Sequence, residues 1–244
     1  MNKAVEYLNT AIALAQLTAS EQEENILKAA QASADALSGG GTIFTFGIGH
    51  SHLLAEEIFY RAGGLVKVYP IQDEPLMLHS AAARSSQMER LPDYARLLLD
   101  DIPCINKGDV LFIFANSGRN TVSVDMALCG KEKGMIIIGV TSLKHSQSVT
   151  SRHVTGYRLF EVCDIVIDNG GIPGDACINI NGNMCGPTST VTGALIMQAV
   201  VCGTVDILTQ KGVNPEVFAS SNIDGGDEIN QKYIDKYKTQ IRAL

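Results

Sequence analysis

Two short segments of the sequence combine glycine and serine in a way that suits the binding of an anion. They are "FGIGHSH" (46–52) and "FANSGRNT" (114–121), and each lies between an apolar run and a segment with helical periodicity. Glycine lets backbone amides approach a ligand, serine adds a hydroxyl donor, and the N-terminus of the following helix favours negative charge. The two segments therefore predict a site for an oxyanion, most simply a phosphate.

Five apolar runs rich in β-branched and aromatic residues predict the strands that position these segments. The predicted strands are residues 42–47, 65–70, 109–115, 135–141 and 163–168. Predicted helices alternate with them at residues 51–62, 90–100 and 121–134. Runs that are apolar throughout indicate burial on both faces, and alternation with helices predicts parallel pairing. The expected fold class is α/β, a three-layer α/β/α sandwich with a five-stranded parallel sheet of the doubly wound, flavodoxin type.

Further helices are predicted on either side of this sheet. An N-terminal helical pair covers residues 1–38, the sheet core covers 41–168, and C-terminal helices cover 188–244. The glycine- and asparagine-rich residues 169–189 lie between the last two parts and predict a long irregular loop. Because no linker divides the chain, we expect one domain over residues 1–244.

Composition and charge argue against several classes of function. A net charge of −7 without a dense run of lysine and arginine argues against nucleic acid or an anionic membrane as a partner. The longest apolar run after the N-terminal helices, residues 193–201, is shorter than a membrane span, so we expect a cytoplasmic protein. The six cysteines form no C-x-x-C pair, and the sequence contains neither a P-loop nor a complete dinucleotide motif. We therefore expect no metal site and no cofactor.

The order of three motifs carries a resemblance to a known family. "GIGHSH", "ANSGRNT" and "GVTS" together resemble the sugar isomerase (SIS) domain, over residues 41–168. In that family a serine after the first strand and an S-x-S-G-x-T loop after the next core strand hold a sugar phosphate. More narrowly, "GHSHLLAEEIFYRAGGL" with "NSGRN" resembles a subgroup of SIS proteins labelled phosphosugar isomerases.

Site residues follow from this resemblance position by position. Ser51 matches the serine after the first strand, and Ser117 and Gly118 match the centre of the second loop. Ala115 and Asn120 stand where that loop usually has serine and threonine, so one hydroxyl is lost, while Asn120 can donate through its amide. Further residues expected at the phosphate are Thr121, Thr141 and Ser142, and those expected at the sugar are Gly49, His50 and Asn116.

Isomerisation of a sugar requires a base that moves a proton between adjacent carbons and a group that opens the ring. We expect Glu89 to be the base. His79 is expected to open the ring, because isomerases of the arabinose-5-phosphate type, which this segment resembles, carry a functional histidine nearby. Glu57 is a third candidate, on the same side of a predicted helix as His50, although its i,i+4 spacing from Arg61 is also typical of a surface ion pair.

Two classes of function are consistent with these residues. The first is a metal-independent aldose-ketose isomerase that acts on a phosphorylated sugar or amino sugar through an enediol, in carbohydrate derivative metabolism. Lyase or etherase chemistry on a phosphorylated amino sugar starts with the same proton abstraction and stays open. The second class is a non-catalytic phosphosugar sensor or regulator. The apolar faces of the N-terminal helices, together with the resemblance, predict a homodimer or a higher homo-oligomer.

Overall fold

A five-stranded parallel sheet forms the centre of the computed structural model, which describes residues 2–244. Met1, with which the predicted domain span begins, lies outside the described residues. The strands are β1 (Ile43–Gly47), β2 (Val68–Ile71), β3 (Val110–Phe114), β4 (Ile136–Thr141) and β5 (Ile165–Asp168). They pair in the order β2-β1-β3-β4-β5, so the direction of winding reverses between β1 and β3. This confirms the doubly wound α/β fold that the sequence predicts.

The two strands at the switch point, β1 and β3, are buried along their whole length. Successive side chains of a strand point to opposite faces of the sheet. Phe44 and Ile113 accordingly enter one apolar cluster, while Phe112 and Phe114 enter a second one. Both faces need covering, which explains why these runs are apolar at nearly every position.

Helices cover both faces and complete the three layers. Their bounds are α1 (Lys3–Glu21), α2 (Glu23–Ser38), α3 (His52–Glu57), α4 (Leu78–Met88), α5 (Tyr94–Asp100), α6 (Thr121–Glu132), α7 (Leu143–Gln147), α8 (Leu159–Val162), α9 (Ser189–Gln210) and α10 (Gly226–Tyr237). Helices α2, α3 and α9 pack in the cluster that contains Phe112. Helices α5, α6 and α8 pack in the cluster that contains Phe44.

Several predicted elements have different bounds in the structure, and strand β2 and helix α3 show the reason. Strand β2 begins at Val68 rather than at residue 65, because Leu65 forms an antiparallel bridge with Val217 instead of continuing the parallel pairing. Helix α3 ends at Glu57, and the predicted continuation to residue 62 is lost in a turn where Tyr60 has a positive φ of 43°. In both places tertiary contacts outweigh the local sequence preference.

The predicted irregular loop at residues 169–189 contains a β-hairpin. Its strands are β6 (Ala176–Ile180) and β7 (Asn183–Pro187), and they pair with each other in antiparallel orientation. Asn181 and Gly182 connect them, both with positive φ, as the favoured two-residue hairpin turns require. The Asn-Gly pair in the sequence is the signal that would have predicted this hairpin.

Helix α9 is the most apolar helix of the described chain. By length and composition alone it could cross a membrane, because its most apolar 18 residues have a mean hydropathy of 1.8. Of these residues, 44% are buried within the fold. Ile196, Met197 and Val200 pack in the core cluster shared with α2 and α3. A core helix of a soluble protein passes the same test of length and hydropathy, so this helix is weak evidence for a membrane span.

Candidate functional site

A cavity of about 210 Å³ lies at the carboxyl edge of the sheet, where β1 and β3 diverge into their turns. Ligands of doubly wound folds bind at this switch point. The apolar lining of the cavity consists of Ile48, Phe114 and Ala115. Its polar lining consists of Ser51, Glu89, Asn116, Ser117, Gly118, Arg119, Asn120, Ser123 and His145. Six of the residues predicted for the site, including both motif serines, therefore meet in one cavity.

The turn after β3, residues 115–120, presents an unusual row of backbone donors. Within residues 2–244, none of the five consecutive amides from Ser117 to Thr121 donates a hydrogen bond to another backbone group. Gly118 has a positive φ of 56°, which reverses the chain so that these amides lie at the N-terminus of the twelve-residue helix α6. Free amides at a helix N-terminus, next to serine hydroxyls, form an oxyanion site.

The turn after β1, residues 48–51, contributes less to the cavity. A single turn of 3-10 helix, Gly49–Ser51, joins the strand to α3, and the Ser51 amide donates to the carbonyl of Ile48 at 3.1 Å. Ser51 and Ile48 line the cavity. This turn therefore adds the Ser51 hydroxyl, whereas the longer row of unbonded amides belongs to the turn after β3.

Glu89 follows α4 directly and is held against the turn after β3. Its backbone carbonyl accepts a hydrogen bond from the Val122 amide at 3.1 Å, and its carboxyl side chain is half-buried in the cavity lining. Burial raises the pKa of Glu89 above the ordinary value for glutamate, while hydrogen bonding from Asn120 and the nearby Arg90 and Arg152 act in the opposite direction. A carboxyl group in this environment suits proton transfer near neutral pH.

Three hydroxyls predicted to bind the phosphate serve instead to hold the turns in place. Thr141 is fully buried, and its Oγ1 donates to the carbonyl oxygens of Ala115 at 2.8 Å and Asn116 at 3.1 Å. Ser142 donates through its Oγ to the carbonyl of Gly171 at 2.6 Å. The Thr121 hydroxyl contacts the carbonyl of Arg152. None of these three side chains is part of the cavity lining, so their contact with the phosphate stays a prediction.

Asn116 reaches the cavity, as predicted for a residue that contacts the sugar. The Asn169 side-chain amide donates to the Asn116 Oδ1 at 3.0 Å and so fixes its orientation. The Asn169 Oδ1 in turn accepts from the Gly171 amide at 2.9 Å. The segment after β5 thus orients a residue of the turn after β3.

The remaining predicted site residues lie outside the cavity lining. Glu57 forms an ion pair with Arg61 and accepts a hydrogen bond from Gln198 at 3.0 Å, which is the surface arrangement that its spacing also allowed. His50 and His79 are exposed. Gly49 has a positive φ of 62° and shapes the 3-10 turn rather than lining the cavity.

Three polar residues of the lining were not predicted to contribute: Arg119, Ser123 and His145. Arg119 occupies the unspecified position of the S-x-S-G-x-T loop, and His145 lies in α7, in a polar stretch that reads as solvated. Burial lowers the pKa of the His145 imidazole, and the opposing effect of Asp175 does not reverse this. Sequence gives no signal for His145, because its position depends on how α7 packs beside the turn after β3.

A larger cleft of about 650 Å³ lies at the open edge of the sheet beside β2. Tyr69, Tyr94, Asp101 and Arg242 are among its lining residues, and the Tyr94 hydroxyl donates to the Asp73 carboxylate at 2.7 Å. Neither motif serine is part of this cleft, and the carboxylates of Asp73 and Asp101 line it. The smaller cavity is therefore the better candidate, since donor groups and a perturbed carboxyl converge there.

Comparison with models of protein families shows which family the chain belongs to. A model of the SIS domain matches residues 6–142, which is more than half of the chain and includes both turns. The chain belongs to the SIS domain family. The resemblance drawn from the motifs is thereby confirmed at the level of the family.

Curated relatives extend the likeness of this SIS protein over nearly its whole length. It is 47% identical to the UPF0309 protein of Geobacillus thermodenitrificans over 232 residues, which cover 94% of this chain and 92% of the relative. The name of that relative states no reaction.

Solved structures share the fold at low sequence identity. The phosphoheptose isomerase of Francisella tularensis aligns with a TM-score of 0.54 at 17% identity, covering 86% of this chain and 97% of that one. The NanR protein of Vibrio vulnificus, in complex with ManNAc-6P, aligns with a TM-score of 0.53 at 14% identity, covering 98% of this chain and 69% of that one. At these identities the likeness establishes the SIS-type fold.

Proposed function

We propose that this SIS protein binds a phosphorylated sugar or amino sugar in the cavity and interconverts its aldose and ketose forms through an enediol. The observation that carries the proposal is the row of free amides from Ser117 to Thr121 beside the half-buried Glu89. Family membership and the structural neighbours, one named as an isomerase and one bound to a phosphosugar, support the substrate class.

The phosphate is held by donors from two strands. The Ser51 hydroxyl approaches from the turn after β1, and the Ser117 hydroxyl with the amides of Gly118 and its neighbours approaches from the turn after β3. The dipole of α6 favours the same charge. Asn120, at the N-cap position of α6, donates through its side-chain amide to Glu89 and accepts from Arg152 Nη1 at 2.8 Å, so it links the phosphate turn to the proposed base.

Glu89 supplies the chemistry. As a carboxylate it removes the proton from the carbon next to the sugar carbonyl, and the electron pair forms the enediol double bond while the carbonyl oxygen takes up a proton. Return of the proton to the neighbouring carbon, with release of the proton from the other oxygen, completes the isomerisation. No net oxidation occurs, so the reaction requires no redox cofactor, and a well-placed carboxylate performs it without a metal. The role of His79 in ring opening stays a prediction, since it lies outside the cavity lining.

A thermal-shift screen against a panel of aldose, ketose and amino-sugar phosphates tests the proposal. A specific ligand at about 100 times its dissociation constant raises the free energy of unfolding by about 2.7 kcal/mol. The same sugars without phosphate are the control and are expected to have no effect. Interconversion of a stabilising ligand, followed by NMR, then tests turnover. If phosphorylated and unphosphorylated sugars behave alike, the proposal is wrong.

Two alternatives give different outcomes in the same experiment. A sensor would bind a sugar phosphate and return it unchanged, whereas a lyase or etherase would release a second product from a phosphorylated amino sugar. The NanR neighbour shows that the fold occurs in a protein bound to a phosphosugar, and it leaves the presence of turnover to be measured. The half-buried Glu89 favours an enzyme, because a sensor needs no group with a raised pKa at its ligand.

We further propose that the chain acts as one SIS-type domain in a cytoplasmic homodimer or higher homo-oligomer. An apolar stripe on α1, consisting of Val5, Leu8 and Ile12, is exposed, with Leu8 and Ile12 more than half exposed. Exposed Leu195 of α9 adds to the apolar surface of these helices. Light scattering after size exclusion is expected to give at least twice the monomer mass, and Leu8→Asp combined with Ile12→Asp should lower it. A monomeric wild type would contradict this part of the proposal.

A further inference from the structure

Three buried polar atoms without a hydrogen-bond partner belong to two neighbouring segments at the cavity. Within residues 2–244, four buried side-chain atoms lack a partner, and three of them are Arg119 Nε, His145 Nδ1 and Ser146 Oγ. Arg119 and His145 line the cavity, and Ser146 lies beneath the turn after β3, within 3.1 Å of the position that a Cβ on Gly118 would occupy. Buried polar groups are nearly always paired, so such a cluster indicates an oxyanion or a polar ligand group that belongs there.

Positive charge accompanies these unpartnered donors. Arg90, Arg119 and Arg152 all lie near Glu89 or near one another, as their mutual effects on pKa show. Within residues 2–244, none of the three guanidinium groups has a carboxylate oxygen within 4 Å. Arg119 contacts the Thr150 hydroxyl through Nη2 at 3.3 Å, and it is the one of the three that lines the cavity. An anion bound beside Arg119 would offset the repulsion among these like charges.

The order of strands separates these groups from the proposed phosphate donors. Strand β3 lies between β1 and β4 in the sheet. Ser51 follows β1, whereas His145 follows β4, and Arg119 points toward Thr150, which also comes after β4. The cavity therefore has two polar sides, one between the turns after β1 and β3 and one between the turn after β3 and α7.

We propose that Arg119 and His145 form a second oxyanion subsite on the β4 side of the cavity, so that the preferred ligand is a sugar phosphate with a second anionic group, a carboxylate or a further phosphate. This inference rests on the proposed function, because the first phosphate occupies the side that contains Ser51. Arg119 supplies the guanidinium, which pairs with carboxylate and phosphate oxygens alike. A neutral imidazole at His145 donates one N–H, and the unpartnered Ser146 hydroxyl lies beside the same turn.

Three linear probes that differ only at one end test this subsite. Sorbitol 6-phosphate has an alcohol at carbon 1, 6-phosphogluconate has a carboxylate there, and sorbitol 1,6-bisphosphate has a second phosphate. Affinities are measured by isothermal titration calorimetry at constant ionic strength for the wild type, Arg119→Gln, His145→Gln and the control Arg96→Gln. Arg96 is an exposed arginine of α5 paired with Glu132, so its substitution removes the same charge away from the cavity.

The wild type is expected to bind at least one of the two probes that carry a second anionic group about tenfold or more tightly than sorbitol 6-phosphate. Arg119→Gln and His145→Gln should each abolish that preference, so that the three probes bind with equal affinity, whereas Arg96→Gln should keep it. Which of the two probes gains affinity tells a carboxylate subsite from a phosphate subsite.

Equal affinity of the wild type for all three probes would overturn the second subsite and leave the proposed function standing. A preference that survives both substitutions would overturn its assignment to Arg119 and His145. If neither these probes nor inorganic phosphate binds, the proposed function fails and the subsite with it. Because His145→Gln tests the subsite by itself, misfolding of Arg119→Gln would not prevent the test.

Discussion

The two turns that meet at the cavity look alike in sequence but differ in what they offer a ligand. Both follow a fully buried strand and both combine glycine with serine. After β1 the chain folds at once into a 3-10 turn in which the Ser51 amide is already bonded to Ile48. Within residues 2–244, five successive amides after β3 donate to no other backbone group, against three after β1. A glycine-serine motif therefore marks a turn, and the path of the backbone decides whether that turn can bind an anion.

The acidic residue associated with each turn shows the same contrast. Glu57 ends α3, which the turn after β1 begins, and it is neutralised by Arg61 at the surface. Glu89 has no sequence neighbour in the turn after β3, yet its carbonyl is bonded to Val122 of α6 and its side chain enters the cavity. The carboxyl proposed as the base is thus the one that the tertiary structure brings into the cavity.

The largest expected effect is on kcat, and it distinguishes Glu89 from Glu57. Glu89→Gln should lower kcat by about 10²- to 10⁴-fold, because it removes the proposed base, whereas Glu57→Gln should leave kcat within about twofold. Single-turnover and steady-state kinetics on the sugar phosphate identified by the screen measure both. Equal losses in the two variants would contradict the assignment.

Thermal unfolding provides the control for this pair. Because the folded protein binds the Glu89 proton more tightly than the unfolded chain does, this group contributes stability below its unfolded pKa and loses it as the pH rises through its folded pKa. At neutral pH the ionised carboxylate is therefore a cost to the folded state. Glu89→Gln should unfold at the same temperature as the wild type or above it, so a loss of turnover cannot be attributed to unfolding.

The serines give the next largest effect. Ser51→Ala and Ser117→Ala each remove a hydroxyl that donates to a dianion, and each should weaken sugar-phosphate affinity by about 10- to 100-fold. The exposed Ser86 of α4 is the matched control, and Ser86→Ala should bind as the wild type does. If only Ser117→Ala loses affinity, the turn after β3 binds the phosphate without help from the turn after β1.

Each of the two turns contains one glycine with a positive φ, Gly49 after β1 and Gly118 after β3. Replacing each by alanine measures the difference in backbone strain between the turns. Gly118→Ala should lower the free energy of unfolding by roughly 2–3 kcal/mol, because its Cβ would lie 3.1 Å from both the Leu159 Cβ and the Ser146 Oγ. Gly49→Ala should cost only about 1 kcal/mol, since its nearest neighbour is the Leu78 Cδ2 at 3.8 Å. Chemical denaturation measures both values. A larger loss for Gly49→Ala would reverse the comparison.

The smallest expected effect is on the pH profile. The proposed turnover depends on the Glu89 carboxylate, and burial holds its pKa above the ordinary value of 4.5, so kcat should fall on the acidic side at a pH higher than an exposed glutamate would give. Measuring kcat at saturating substrate limits the contribution of the ligand phosphate, which titrates at about pH 6. An acidic limb at or below pH 4.5 would mean that another group is the base.

The alternation of buried strands and helices in the sequence was sufficient to predict the sheet and its layers. Runs such as Val110–Phe114 are apolar at every position, and only a sheet covered on both faces accommodates that pattern. The bounds of β2 and α3 were predicted less well, because Leu65 finds an antiparallel partner in Val217, far along the chain. Pairings over such distances leave no local signal.

The sequence by itself determined the fold class, the two turns and the serines that they carry, since strand periodicity, glycine and family motifs are all local properties of the chain. Only the tertiary structure decided which side chains join those turns. The hydroxyls of Thr141 and Ser142 donate hydrogen bonds to carbonyls of neighbouring segments. Glu89, Arg119 and His145 converge on the cavity from three separate segments. Their convergence depends on helix packing and on which donors remain unbonded, and both are set by contacts between residues distant in sequence.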